Sequence, residues 1–276
     1  MPLAARFFSF LICALSIFTL SANAQKKDSV VVTSGFSGLM GVTTNGISII
    51  PTFSLNAPAV NFLLSVKKNR FSFDPDIRAT FDGKKGSLVF WFRYQAIKGK
   101  RFNLQTGAHP AYNLALREIV SSSSSSGFST ITQANRFVAT EIFPSYRVSK
   151  KVSLGIYYLR GFGLQKDGPI NSNFLTFNTN ISGIRLFKDH YFQYTPQFYY
   201  LKLDQNDGFY YTHTIGISST KHPFLLQSTI NKEIKTNIPG SQNLAWNLTL
   251  FYAFNKKYGR MEGQDVLKIA DQITDF

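Results

Sequence analysis

Apolar and polar residues alternate with a period of two along most of this chain, and that alternation constrains its fold more than any other feature. Over residues 70–82 one side reads Phe71, Phe73, Pro75, Ile77, Ala79 and Phe81, while the other reads Ser72, Asp74, Asp76, Arg78, Thr80 and Asp82. Successive side chains of a strand point to opposite faces, so this segment is a strand with one apolar and one polar face. The same reading sets Leu88, Phe90, Phe92 and Tyr94 against Ser87, Trp91, Arg93 and Gln95. It sets Phe192, Tyr194, Pro196, Phe198 and Tyr200 against Gln193, Thr195 and Gln197, and Leu244, Trp246, Leu248, Leu250, Tyr252 and Phe254 against Asn243, Ala245, Asn247 and Thr249. These runs exceed the ~5 to 6 residues of strands in soluble sheets and suit a tilted bilayer crossing of ~9 to 11 residues with a projecting end.

Strands are expected over 47–55, 59–66, 70–82, 86–97, 101–113, 134–148, 152–163, 173–187, 190–203, 209–219, 224–234 and 242–254, an even set as single-chain bacterial barrels have. Residues 30–41 form either a further strand, which would allow fourteen, or a luminal extension. The connections alternate in kind. One set is short and basic, at 67–69, 98–100, 149–151, 188–189 and 221–222; the other is longer and polar, at 83–86, 115–133 with serines at 121–126, 165–172, 205–208 and 235–242. Short turns on one rim and longer loops on the other are a transmembrane barrel's asymmetry, with the short side periplasmic. A flexible linker between two domains is the alternative for the serine run, but alternating strands continue on both of its sides.

The N-terminus predicts export. Arg6 supplies a positive start, residues 7–20 are almost continuously apolar, and Ala22-Asn23-Ala24 is a small-x-small cleavage site, so residues 1–24 read as a signal peptide. An uncleaved anchor helix is the alternative, though the run is shorter than the ~20 residues a span needs. Cys13, the one cysteine, lies inside this leader behind Ile12, which argues against lipidation. A mature chain from Gln25 then carries no disulfide, thiolate metal site or Cys nucleophile, and losing Arg6 leaves it a net charge of +14. Charged residues make up 16% of the sequence, well under the ~25% usual for soluble domains, beside 27 Phe and 13 Tyr. Disorder, coiled coil and a nucleic-acid tail are excluded on that basis.

Leu248, Leu250, Tyr252 and Phe254 form an apolar-x-apolar-x-aromatic-x-Phe ending that resembles the closing strand of bacterial outer-membrane barrels, the signal read by their assembly machinery. Taken with the leader and the alternating strands, residues 47–254 resemble the outer-membrane β-barrel proteins, and the aromatic, Lys/Asn-rich style is similar to uncharacterised barrels of Bacteroidota. The resemblance implies an all-β, antiparallel transmembrane barrel of about twelve strands, integral to the outer membrane, and no substrate. It departs from the family beyond Phe254: the tail 255–276 places Val266, Leu267, Ile269, Ala270 and Ile273 at helical spacing, which suggests a periplasmic amphipathic helix or a frayed tail. Residues 25–46 are an N-terminal extension or extra strand. A secreted β-sandwich with its apolar faces packed inward is the competing fold; the uncharged, aromatic-ended outer faces speak against it.

With such a barrel the polar faces line the interior. Asp74, Asp76, Arg78, Arg93 and Glu141 are then the charged lumen lining, and they either impose a transverse field of the porin kind or pair into a salt-bridged plug. Asn178, Asn180, Gln193, Gln197, Gln227 and Asn247 continue the polar surface. No cofactor, metal or phosphate-loop motif is present, and the lysines sit at turns, where they suit outer-membrane lipid and lipopolysaccharide rather than nucleic acid. Of the histidines at 109, 190, 213 and 222, His213 shares its strand with Ser218 and Ser219, the sole hint of a lipid hydrolase or acyl-modifying enzyme. Three functions follow: a passive channel or small-solute porin-like transporter; a non-conducting accessory barrel holding an envelope partner through the 115–133 loop or the 255–276 tail; and, third, that enzyme.

Overall fold

The computed structural model describes residues 34–48, 54–120, 128–165 and 168–258, with side chains to residue 255. The leader 1–24, the serines 121–126 and the expected C-terminal helix lie outside the described residues. Twelve strands follow one another: β1 (Ser34–Thr43), β2 (Ala59–Lys68), β3 (Phe71–Thr80), β4 (Gly86–Lys98), β5 (Phe102–Val120), β6 (Phe128–Arg147), β7 (Val152–Gly163), β8 (Asn171–Phe187), β9 (His190–Leu203), β10 (Asn206–Ser219), β11 (Phe224–Thr236) and β12 (Leu244–Tyr258). Each pairs antiparallel with its sequence neighbours, and β1 pairs with β12 from Ser34 opposite Tyr258 to Thr43 opposite Thr249. The sheet is therefore a closed barrel, and closure removes the edge strands that would otherwise template association.

The alternation read from the sequence becomes the inside and outside of this barrel. On β9, Gln193, Thr195 and Gln197 are buried while Phe198 is exposed; on β12, Asn247 and Thr249 are buried while Trp246, Leu250 and Tyr252 are exposed. The outward face carries directly opposed aromatic pairs, Phe71 with Tyr94 and Phe73 with Phe92 across β3 and β4, and Phe198 with Tyr211 and Tyr200 with Phe209 across β9 and β10. Their ring centroids lie 4.6 to 4.9 Å apart. Pairs of this kind contribute roughly 0.2–1 kcal/mol each and fix the register of strands with little else to hold on their outer side.

Two expectations need correction. The segment 47–55 is not a strand over its described residues, Ile47, Ser48, Ser54 and Leu55. Gly46 turns the chain with φ +54, and a Cβ there would lie 2.9 Å from Leu55 Cβ. The amide of Leu55 then donates to the Gly46 carbonyl at 3.0 Å, Ser54 Oγ accepts from the Ser48 amide at 3.0 Å, and Lys85 Nζ donates to the Leu55 carbonyl. Leu55 is thereby buried, which a strand of the barrel wall would not require of it. The twelfth strand comes from the segment 30–41 instead, as β1, so the barrel begins at Ser34 rather than at residue 47. The second correction concerns the expected 115–133 loop: β5 and β6 remain paired out to Val120 opposite Phe128, leaving only 121–127 to connect them.

One rim carries the connections 69–70, 99–101, 148–151, 188–189 and 220–223; the other carries 44–58, 81–85, 121–127, 164–170, 204–205 and 237–243. At the second rim Asp204, at φ +51, accepts hydrogen bonds from the amides of Asn171 at 2.8 Å and Ile170 at 3.0 Å. The Asn171 backbone bond leads the causes that hold its carboxyl below the usual 3.8. A depressed folded-state value means this tether is intact above the ordinary carboxylate pKa and is lost as pH falls through the lower, folded value. We expect the amides of Ile170 and Asn171 to lose hydrogen-exchange protection as pH is lowered below about 4, and Asp204→Asn to show weak protection at every pH; identical pH profiles for the two proteins would remove the tether.

Candidate functional site

The barrel encloses a cavity of about 720 Å³. Asp74, Asp76 and Arg78 of β3 and Arg93 of β4 line it, as the polar face of each strand requires. Glu141 of β6 does not reach the open space; its side chain is 0% exposed and lies behind Arg93. Arg93 Nε donates to Glu141 Oε1 at 2.8 Å, and Arg93 Nη1 donates to Asp74 Oδ2 at 3.1 Å. Tyr157 Oη donates to Glu141 Oε2 at 2.8 Å, and Ser65 and Ser72 donate to Asp74 at 2.6 and 2.7 Å. Nearer the long-loop rim, Arg78 grips Asp76 through Nε and Nη2 at 2.9 and 2.6 Å, and its Nη1 donates to the Ile47 carbonyl at 3.3 Å.

Register makes the central network. Arg93 stands opposite Gly107 on β5, and Gly107 stands opposite Glu141 on β6, so the ion pair spans an intervening strand. A Cβ at residue 107 would come within 2.8 Å of Glu141 Oε1 and 3.0 Å of Arg93 Cγ. Glycine here leaves the gap through which the guanidinium reaches the carboxylate. On the inner side the guanidinium lies 4.2 Å from the centre of the Trp91 ring, and the ring of His109 sits 4.0 Å from the other partner of that stack, Trp91.

A basic collar forms the short-turn end of the cavity: Lys67, Lys98, Arg147, Lys150 and Lys151 all line it and are exposed. Lys98 is there because of a bulge. The pairing of β4 with β5 shifts between Gln95 and Ile97, so Ile97 is exposed on the outside and Lys98 points in, the reverse of what strict alternation from Arg93 gives. Counting every described lining residue, seven Lys and Arg side chains stand against Asp74 and Asp76 alone, with Glu141 behind.

From mid-barrel toward the other rim apolar side chains crowd the interior, with Phe143 the member nearest the collar. Trp91, Phe143, Tyr157, Leu159, Phe174, Tyr199, Leu201, Leu203, Tyr210 and Ile238 belong to one buried apolar cluster. This cluster was not anticipated, although the signal was present: the inward parity of Gln193, Thr195 and Gln197 runs on through Tyr199, Leu201 and Leu203.

His213 faces outward between Tyr194 and Tyr211, with ring centroids 6.1 and 5.6 Å away, whereas Ser218 has the opposite parity on β10 and Ser219 lies six positions along the strand, roughly 20 Å at ~3.3 Å per residue. The structure therefore does not bring that His and Ser together. Leu248, Leu250, Tyr252 and Phe254 lie on the outward face of β12 against β1, Phe254 packing at 5.2 Å on Phe36. Among the described residues no three His, Asp or Glu side chains gather where a metal ion could sit.

No family model matches the chain, and no curated protein does. Among solved structures, the KdgM porin is 13% identical with a TM-score of 0.48, over 79% of this chain and 99% of that one. The NanC porin is 11% identical with a TM-score of 0.46, over 82% and 100%. An outer-membrane channel from Pseudomonas putida F1 is 10% identical with a TM-score of 0.45, over 85% and 99%. The fold assignment rests on the strand pairing itself rather than on likenesses this distant.

Proposed function

We propose that this chain is an integral outer-membrane β-barrel acting as a passive, porin-like channel for small solutes, exported by a cleaved leader and inserted by the barrel-assembly machinery. The observation that carries the reading is the inversion of a soluble protein's surface. Phe62, Phe92, Ile142, Phe177, Phe198, Trp246 and Tyr252 are exposed on the outside, while Arg93, Glu141, Asn178, Gln197 and Asn247 are buried within. An outward apolar face with an inward polar one suits a hydrocarbon surround and an aqueous lumen.

The testing measurement is single-channel conductance of the detergent-folded mature protein in a planar bilayer, with heat-modifiable gel mobility confirming the barrel. Steady current is the expected result, with ion selectivity altered in Arg93→Ala; unchanged selectivity in that variant would count against the assigned lining. A second reading, a non-conducting accessory barrel that holds an envelope partner, is supported by the apolar cluster across the long-loop half of the lumen and by the mutual pairing of the wall charges. A folded barrel that is electrically silent favours it. The basic short turns fit a third element of this reading, contact with anionic lipid headgroups at the interface.

A further inference from the structure

We infer that the lumen holds a binding site for a small polyhydroxylated carboxylate, its charged end at the Lys150 and Lys151 turn and its hydroxyls against Thr176, Asn178 and Thr195. The inference deepens the channel reading and rests on it.

Two independent observations meet at this place. The first is charge. The collar brings Lys67, Lys98, Arg147, Lys150 and Lys151 to the cavity, and the two carboxylates on the same surface are already engaged, Asp74 by Arg93 at 3.1 Å and Asp76 by Arg78 at 2.6 Å. Low-dielectric walls focus the field of such a mouth and raise the local concentration of anions.

The second observation is a patch of hydrogen-bonding atoms without a protein partner. Thr176 Oγ1, Asn178 Oδ1, Thr195 Oγ1 and Gln197 Oε1 are buried with no hydrogen-bond partner, and their residues are 3, 6, 3 and 3% exposed. They occupy adjacent inward positions of β8 and β9, where Asn178 stands directly opposite Gln197. Thr176, Asn178 and Thr195 line the cavity. Elsewhere on the wall Thr214 and Thr229 bond each other at 3.1 Å and Asn247 is held by Thr43 and Thr249 at 2.5 and 3.0 Å, while Asn61 Oδ1 and His109 Nδ1 are single unpaired atoms on β2 and β5; on β8 and β9 four such atoms fall together. Buried polar groups left unpaired are costly, so the side chains of this patch that border the cavity, Thr176, Asn178 and Thr195, are complementary to a polar occupant.

The spacing limits the occupant to a small molecule. Val152, next to Lys151, pairs with Ile181, and Asn178 lies three positions further along β8, roughly 10 Å at ~3.3 Å per residue. The collar and the patch are therefore close enough for one small molecule to touch both. A simple carboxylate satisfies only the collar and a neutral polyol only the patch; a hydroxy acid satisfies both.

The test is calorimetric titration of the folded full-length mature barrel in detergent with gluconate, sorbitol and acetate. Expected is saturable, one-to-one gluconate binding at least ten-fold tighter than either comparison. Lys150→Gln with Lys151→Gln should weaken gluconate at least ten-fold and leave sorbitol unchanged. Thr195→Val, nearly isosteric and checked for folding by heat-modifiable mobility, should weaken gluconate and leave acetate unchanged. Gluconate binding no tighter than acetate, or insensitive to the lysine pair, overturns the inference, as does no binding at all. A barrel that binds gluconate yet passes no current keeps the site and loses the channel; one that conducts yet ignores gluconate does the reverse.

Discussion

Replacing Arg93 with alanine is expected to destabilise the barrel by about 3–5 kcal/mol, the range for breaking a buried ion pair from one side. The Glu141 side chain is 0% exposed and that of Arg93 3% exposed, so the variant leaves a carboxylate sealed in the wall with only Tyr157 at 2.8 Å and Gln105 at 3.4 Å to satisfy it. Asp74 loses its guanidinium partner in the same step but keeps Ser65 and Ser72 and some access to the cavity. Most of the loss therefore traces to Glu141. Pairing Arg93→Met with Glu141→Gln should restore most of the stability, because the abandoned charge is then gone. Gly107→Ala should act on the same pair from between its partners, since the added methyl meets Glu141 Oε1 and Arg93 Cγ together. Urea unfolding in lipid vesicles measures all three variants. A loss below about 1 kcal/mol in Arg93→Ala, the scale of a solvated pair, would mean that water reaches Glu141 and that the wall is wetter than this packing implies.

The faces of the strands were legible in the sequence, and the links between strands were not. Parity alone placed Asp74, Asp76, Arg78 and Arg93 inside and Leu250 and Tyr252 outside, since a side chain in an extended segment has only two directions to choose from. Parity says nothing about which residue of another strand stands alongside. Arg93 and Glu141 are 48 residues apart, and their meeting depends on two registers in succession and on a glycine at one position between them. Bulges defeat parity outright: the shift at Gln95 exchanges Ile97 and Lys98, and the collar gains a lysine that alternation assigns to the outside. The first strand was misplaced for a different reason. Residues 47–55 have strand-like apolar content, but Gly46 and the Leu55 packing turn the described ones into a loop, while residues 30–41, open in the sequence to either a further strand or a luminal extension, supply the strand that pairs. On β1 the glycines permit close approach: a Cβ at Gly38 would lie 2.7 Å from the Leu63 carbonyl and one at Gly41 would lie 2.4 Å from the Phe251 ring. They are a condition of closure rather than a mark against it.

Removing the Tyr210 ring is expected to open the long-loop half of the lumen. Tyr210 is 1% exposed and stacks on Tyr199 with centroids 4.8 Å apart and planes 11° from parallel. Its hydroxyl donates to Thr236 Oγ1 at 2.8 Å and lies 3.2 Å from Ser241 Oγ, so the residue also ties the wall to the 237–243 loop that carries the buried Ile238 inward. Tyr210→Ala takes away the ring and both hydroxyl contacts, to Thr236 of β11 and to Ser241 of the loop. We expect a conductance several-fold above that of the native barrel, at a stability cost of about 3–5 kcal/mol from the cavity it leaves. Tyr210→Phe keeps the stack and loses only the hydroxyl, so it should cost about 1 kcal/mol and change the current little. The pair of variants separates two constrictions. A conductance rise confined to the alanine variant places the barrier at the aromatic stack. Equal, low currents in all three folded proteins place it instead at Ile47 and Leu55, which Arg78 and Lys85 hold by their carbonyls. A native barrel that is silent and an alanine variant that conducts would identify the cluster as a plug, and the lumen beneath it as a solute path that something other than mutation must normally clear.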